Sequence, residues 1–278
     1  MPQSEPSSYV SSGLESDLAK LHLHDDSDSS FFGIYTAAAS QKGKGAFTSR
    51  DIQRGDLILS ERPIFSTPTM TSLNVSFMYI SIEAAVRKLS PVHLNGYLSL
   101  QNSHDKCSCF RSPLLGIFGT NSFTVSESDS VICLRASRFN HSCSPNAHYR
   151  IDSSTGELHF IALRAITRGE EISISYIGRR TLYGSPRRSR QAILRPTYHF
   201  TCSCSVCSLS KAKSKISDAR RQRVNELWEI IGRLAPTLKE EDPRLNVIIE
   251  ACAEGIHLLQ EEGEFADVDD FLKEAGPM

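Results

Sequence analysis

Three cysteines, Cys202, Cys204 and Cys207, stand within six residues as C-x-C-x2-C. Thiols this close constrain the chain more than any other feature, because they can converge on one metal ion. Zinc takes four ligands in a tetrahedron, so the triplet needs a fourth from elsewhere. The candidates are Cys107, Cys109, Cys133, Cys143, Cys252 and the histidines. Cys143 is favoured, because its segment, RFNHSCSPNAHY at 138–149, carries other chemically capable groups. Cys107 and Cys109 could contribute to another metal site, but no second pair stands near them. Cys252 lies on an apolar helical stripe and reads as core.

Whether eight cysteines are thiols or disulfides depends on compartment. The opening MPQSEPSSYVSSGLESD is polar and acidic, unlike a signal peptide. No apolar run approaches the roughly 18 residues of a membrane helix. An intracellular protein, nuclear or cytoplasmic, is expected. The formal net charge of -1 excludes the large basic excess of a dominant DNA-backbone binder. Its 278 residues suit one medium domain plus a small accessory unit.

Residues 1–30 hold nine serines, six acidic residues and one lysine. So few apolar groups predict a disordered tail, with one helix allowed by Leu14, Leu18 and Leu21. Short apolar runs broken by glycine, from Phe31 to Leu59, predict two or three strands. Helical spacing over 72–102 predicts two helices, the second started by Ser90-Pro91. Strand signals return at 122–134, 147–151, 157–163 and 171–177. Residues 187–194 read as a short helix. Leu227, Ile230, Ile231 and Leu234 make a helical stripe that stops before Pro236. Asp242-Pro243 starts another helix through Leu259, and a third is expected near Phe271.

Taken in order, QKGKGAFTSRDIQRGDLIL, NHSCSPN, RGEEISISY and CSCSVC resemble the SET domain with its post-SET zinc motif. The resemblance is greatest to the SET-and-MYND branch and to fungal SET proteins like it, and covers about residues 31–207. It implies an α+β SET fold, with small curved sheets, a pseudo-knot and a helical insert near 72–102. The implied divisions are a tail at 1–30, a SET domain at 31–180, a zinc-binding post-SET segment at 181–210 and a helical extension at 211–278. One departure stands out: the first half holds no run of cysteines and histidines that could build a MYND module.

The resemblance implies transfer of a methyl group from S-adenosylmethionine (AdoMet) to a protein lysine, with histone as the expected substrate class. Lys44 and Gly45, in the GKG turn, match the first AdoMet segment. Asn121 resembles a cofactor-contacting asparagine. Asn140 and His141 match the pair that holds the AdoMet amine and adenine. Phe200 matches the aromatic that packs on adenine. Tyr176 matches the catalytic tyrosine beside the cofactor, and Tyr198 matches a second wall of the lysine channel. Cys143 matches the fourth ligand of one structural zinc, with Cys202, Cys204 and Cys207. A scaffold without activity and a small-molecule methyltransferase are the rival readings. Arg179, Arg180, Arg187, Arg188, Arg190 and Arg195 form a basic stretch. It reads as a solvated helix face or as a contact for an acidic partner or nucleic acid in chromatin. No membrane contact and no sequence-specific nucleic-acid binding are expected.

Overall fold

The structure is a computed structural model that describes residues 33–39, 43–69, 75–105, 112–237 and 242–263. The expected tail, Cys107, Cys109 and the helix near Phe271 lie outside the described residues. Elements are numbered in chain order among the described residues. No helix among them is long and apolar enough to cross a membrane.

The glycine-punctuated first part folds into short strands, as its β-branched and aromatic runs predict. β1 (Ile34–Ala38) pairs antiparallel with β2 (Lys44–Thr48). Gly43, at φ 80, immediately precedes β2. β3 (Leu57–Glu61) follows the turn at Gly55, whose φ of 87 suits glycine. β3 is one edge of a three-stranded sheet, with β9 (Leu158–Ala162) central and β8 (Ala147–Ile151) opposite. A second three-stranded sheet holds β4 (Phe65–Pro68), β6 (Asp129–Ile132) and β5 (Phe123–Thr124), with β6 central. β4 carries no signal in the sequence reading. Pro68 lacks an N–H and argues against a strand, but an edge strand tolerates it.

The expected insert helices are α1 (Val75–Val86) and α2 (Pro91–Leu98). Ser90 caps α2, its hydroxyl accepting from the His93 N–H at 3.3 Å. A third helix, α3 (Pro113–Asn121), was not expected. Its start has the same chemistry, with Ser112 accepting from Leu114 N–H at 3.3 Å and proline in the first turn. A fourth, α4 (Arg179–Gly184), was also not expected. α5 (Arg187–Tyr198) runs past the predicted end at 194 and contains Pro196. It stops at His199, which takes a left-handed φ of 56. α6 (Lys211–Leu234) and α7 (Leu245–Glu261) are the expected C-terminal pair.

Buried side chains form three cores. One lies among the strands of the first part and the β3–β9–β8 sheet and includes Ile58, Phe139 and Phe160. Another lies in the insert, around Met78, Tyr97 and Phe118. The third joins the cysteine segment to α4–α7 and includes Leu182, Leu194, Trp228 and all four cysteines of the favoured set. Tyr176 packs against the first and the third.

The C-terminal helices are locked to α4 from two sides. Trp228, the one tryptophan, is 1% exposed. A Cβ added at Gly184 would lie 3.2 Å from its ring and 3.0 Å from Asn225, so glycine permits the close packing. Arg221 donates to the Leu182 carbonyl at 2.7 Å and pairs with Glu262 at 3.3 Å. Replacing Trp228 with Ala is expected to destabilise the protein by about 3–5 kcal/mol, the range for truncating a buried aromatic. Urea unfolding followed by circular dichroism measures this. A loss under about 1 kcal/mol would show that α6 is not packed as described.

Candidate active site and metal centre

The sulfurs of Cys143, Cys202, Cys204 and Cys207 all lie within 4.8 Å of one another. Cys143 and Cys207 sulfurs are 3.6 Å apart, and the Cys143 N–H donates to Cys204 Sγ at 3.4 Å. Zinc–thiolate bonds of about 2.3 Å in a tetrahedron put sulfurs about 3.8 Å apart. The donor set therefore fits a zinc ion in number, type and spacing. Hydrogen bonding to Cys143 holds Cys204 well below the ordinary thiol range. Hydrogen bonding to the other three pushes Cys143 far up.

Helix α5 is the scaffold for this segment. Gln191 clasps the Cys202 backbone from both sides, donating to its carbonyl at 2.7 Å and accepting from its N–H at 2.9 Å. Arg187 donates to the Cys207 carbonyl at 2.9 Å. Arg190 is fully buried. The basic stretch is therefore not one solvated face. Arg187 and Arg190 turn inward to the cysteine segment, and Arg188 and Arg195 are exposed.

Cys143 brings its neighbours with it. Asn140–His141 forms β7, paired parallel with β10 (Ser173–Ile174). The pairing continues as Ser142 N–H donates to the Ile174 carbonyl at 2.9 Å. His141 Nδ1 accepts from the Tyr176 backbone N–H at 3.0 Å, and Nε2 lies 3.3 Å from Cys143 Sγ. Because Nδ1 accepts, the ring proton sits on Nε2 and points at sulfur. The His141 ring thus has internal partners at both nitrogens, which leaves its backbone, not its imidazole, as the part suited to a ligand.

Tyr176 donates its hydroxyl to the Phe139 carbonyl at 2.8 Å. The residue as a whole is half-buried. Burial, with repulsion from Tyr198 and Glu171, pushes this phenol far up, so it stays protonated across the neutral range. Tyr198 sits on the last turn of α5, its ring centroid 4.9 Å from that of Tyr176. Its hydroxyl donates to the Tyr176 carbonyl at 3.3 Å. Phe200 completes the aromatic group, 5.9 Å from His141 and 6.4 Å from Tyr176. Between them His199 turns the chain, its Nε2 3.1 Å from Nδ1 of His104 in the insert.

Asn140 faces the other way. Its amide donates to the Lys44 carbonyl at 3.2 Å and to Glu171 Oε1 at 2.8 Å. Gly45 lies against the same group. A Cβ there would be 2.8 Å from Asn140 Nδ2 and 2.9 Å from Glu171 Oε1. Lys44 and Gly45 belong to β2, not to the turn where the sequence reading put them. Gly45 is needed for close approach rather than for positive φ. Glu171 was not among the sequence-derived candidates, although the GEE of RGEEISISY was the signal for it. Asn121 has other hydrogen-bond partners. Its amide donates to the Gln101 and Ile117 carbonyls, both at 2.7 Å, tying α3 to the loop after α2. A cavity of about 340 Å³ also lies away from the tyrosines, lined by Ser144, Val206, Lys213 and Arg220 among others.

Comparison with known proteins gives the same segment. Residues 43–177 match the SET domain family. The histone-lysine N-methyltransferase set5 of Schizosaccharomyces pombe is 30% identical over 229 residues, covering 82% of this chain and 65% of that protein. The protein-lysine N-trimethyltransferase SMYD5 of Homo sapiens is 42% identical over 88 residues, covering 32% of this chain and 21% of that protein. The histone-lysine N-methyltransferase SET5 of Meyerozyma guilliermondii is 39% identical over 88 residues, 31% of this chain and 17% of that protein. The chain thus spans less than two thirds of the length of these relatives.

Elemental analysis of the purified protein is expected to find about one zinc per chain, as one tetrahedral four-thiolate site requires. Cys204→Ser should lower that content and loosen the segment around it, read by limited proteolysis. Full zinc content in the variant would remove Cys204 from the ligand set.

Proposed function

This chain is a SET-domain protein, and on that premise we propose that it is an AdoMet-dependent protein-lysine N-methyltransferase. One observation carries the reading. The β7 strand presents a polar cradle on one side, made by Lys44, Gly45, Asn140 and Glu171, and the Tyr176–Tyr198 pair beside it.

AdoMet supplies an activated methyl on a positively charged sulfur. The cradle suits a ligand of that charge. The Lys44 carbonyl and the Asn140 side chain offer acceptors for an ammonium, and the Glu171 carboxylate offsets positive charge nearby. Gly45 lets the backbone come close. Phe200, beside His141, offers a flat apolar surface for a base.

The tyrosines would hold the incoming lysine. Tyr176 donates its own proton to Phe139, so its lone pairs remain to accept from the amine and align it. Such alignment can supply several kcal/mol of barrier lowering. The protonated phenol is not the base. A lysine amine has a reference pKa near 10.4 and must lose its proton before reacting. Desolvation between the tyrosines would lower that value, and the proton would leave to water. Histone is the substrate class we favour, because two of the relatives carry that name.

Calorimetric titration of AdoMet into zinc-loaded protein tests the cofactor reading. Saturable binding is expected, weakened at least about tenfold by Asn140→Ala, equivalent to one charge-assisted hydrogen bond. No binding to folded, metal-replete protein would overturn the reading in favour of a protein-binding scaffold. For the lysine channel, Tyr176→Phe should reduce turnover by roughly 10–100-fold, with AdoMet affinity nearly unchanged. Unchanged turnover would dismiss the role given to the hydroxyl. Turnover should also rise with pH through the range where the substrate amine deprotonates. No limb from Tyr176 ionisation should appear, since burial holds that phenol far above its ordinary value.

A further inference from the structure

Arg190 is 0% exposed, on the inward face of α5. Its Nη1 donates to the Ser185 carbonyl. Its Nε and Nη2 are buried and meet no hydrogen-bond partner. A guanidinium removed from water with unanswered donors is costly unless an anion faces it. Sulfur faces this one. The thiols of Cys143 and Cys207 lie close enough to interact with its guanidinium. Both cysteines are buried in the same core as Leu194, one turn further along α5.

Four thiolates around one divalent ion carry a net dianion. We propose that Arg190 is the counter-cation of the four-cysteine centre, donating Nε–H and Nη2–H to the sulfurs of Cys143 and Cys207. The inference rests on the zinc reading of that cluster. It explains why an arginine-rich helix buries one of its arginines completely. Charge-assisted N–H···S bonds draw electron density from the thiolates, which holds the metal and makes the sulfurs poorer nucleophiles toward oxidants and alkylating agents. Arg187, one turn earlier, fixes the Cys207 carbonyl from the same face. Arg190 acts on the ligands and not on the substrate, so it is a positioning residue.

The test is zinc competition with a chromophoric chelator, run on wild type, Arg190→Gln and Arg190→Lys. Arg190→Gln should lower zinc affinity by about 10–100-fold, the range for loss of a metal ligand's outer partner. Arg190→Lys keeps the charge but not the planar pair of donors, and should lose less. Cysteine alkylation of the zinc-loaded protein should accelerate in the same order. The stability gap between wild type and Arg190→Gln should also shrink once zinc is removed. A folded Arg190→Gln with wild-type zinc affinity overturns the proposal, as does an equal stability loss with and without metal. If Arg190→Gln does not fold, Arg190→Lys decides: reduced zinc affinity supports the proposal, and wild-type affinity overturns it. Wild type that binds no zinc would instead defeat the metal reading itself.

Discussion

The imidazole of His141 joins the two halves of the site. Its Nδ1 holds the backbone of Tyr176, and its Nε2 points at the sulfur of Cys143. The accepting role of Nδ1 fixes the tautomer, so the ring can only donate toward sulfur. A thiolate accepts that proton better than a neutral thiol does. Metal binding, which would require Cys143 as a thiolate, would therefore strengthen the contact of the same ring that positions Tyr176. The parallel β7–β10 pairing supports the arrangement, because it brings the two segments side by side in a fixed register.

Charge follows the same logic on the opposite face of the cysteines. His141 approaches the sulfurs from β7 and Arg190 from α5. Between them the cluster meets donors on two sides. Tyr176 packs against both the strand core and the core that holds the cysteines. A shift of the cysteine segment against the strands would therefore be felt first at Tyr176 and Tyr198. Interiors packed to near crystal density transmit such shifts instead of absorbing them.

Much of this was legible in the sequence, because strands and capped helices declare themselves through local rules. Ser90-Pro91 announced α2. Ser112-Pro113 made the same announcement for α3 and went unread, since the apolar stretch after it is short and runs straight into β5. α4 has only one and a half turns, too few for periodicity to register, and depends on Trp228 for its burial. The arginine stretch shows where local rules end. Residues at 187 and 190 share one helix face, but only the fold reveals that this face meets sulfur and carbonyl oxygen. Gly45 is similar. Its motif signals a turn, whereas its reason is the crowding of Asn140 and Glu171, which the sequence separates widely from it.

The donor set also decides what a zinc ion could do here. Four cysteines fill a tetrahedron and leave no open position for water or substrate. An ion bound by them would act through geometry alone. The chain between Tyr198 and Cys202 is short, and it carries Phe200 and the left-handed His199. Fixing Cys202, Cys204 and Cys207 onto Cys143 thus fixes the two aromatic side chains that face Tyr176 and His141. The Gln191 clasp on the Cys202 backbone holds the same segment from the helix side. Without the metal, that clasp, the His104–His199 contact and the Tyr198 hydroxyl's own bond to the Tyr176 carbonyl would carry more of the positioning, and each such hydrogen bond is worth only about 1 kcal/mol. An ion held there would thereby be part of the candidate site's frame without touching a reacting atom.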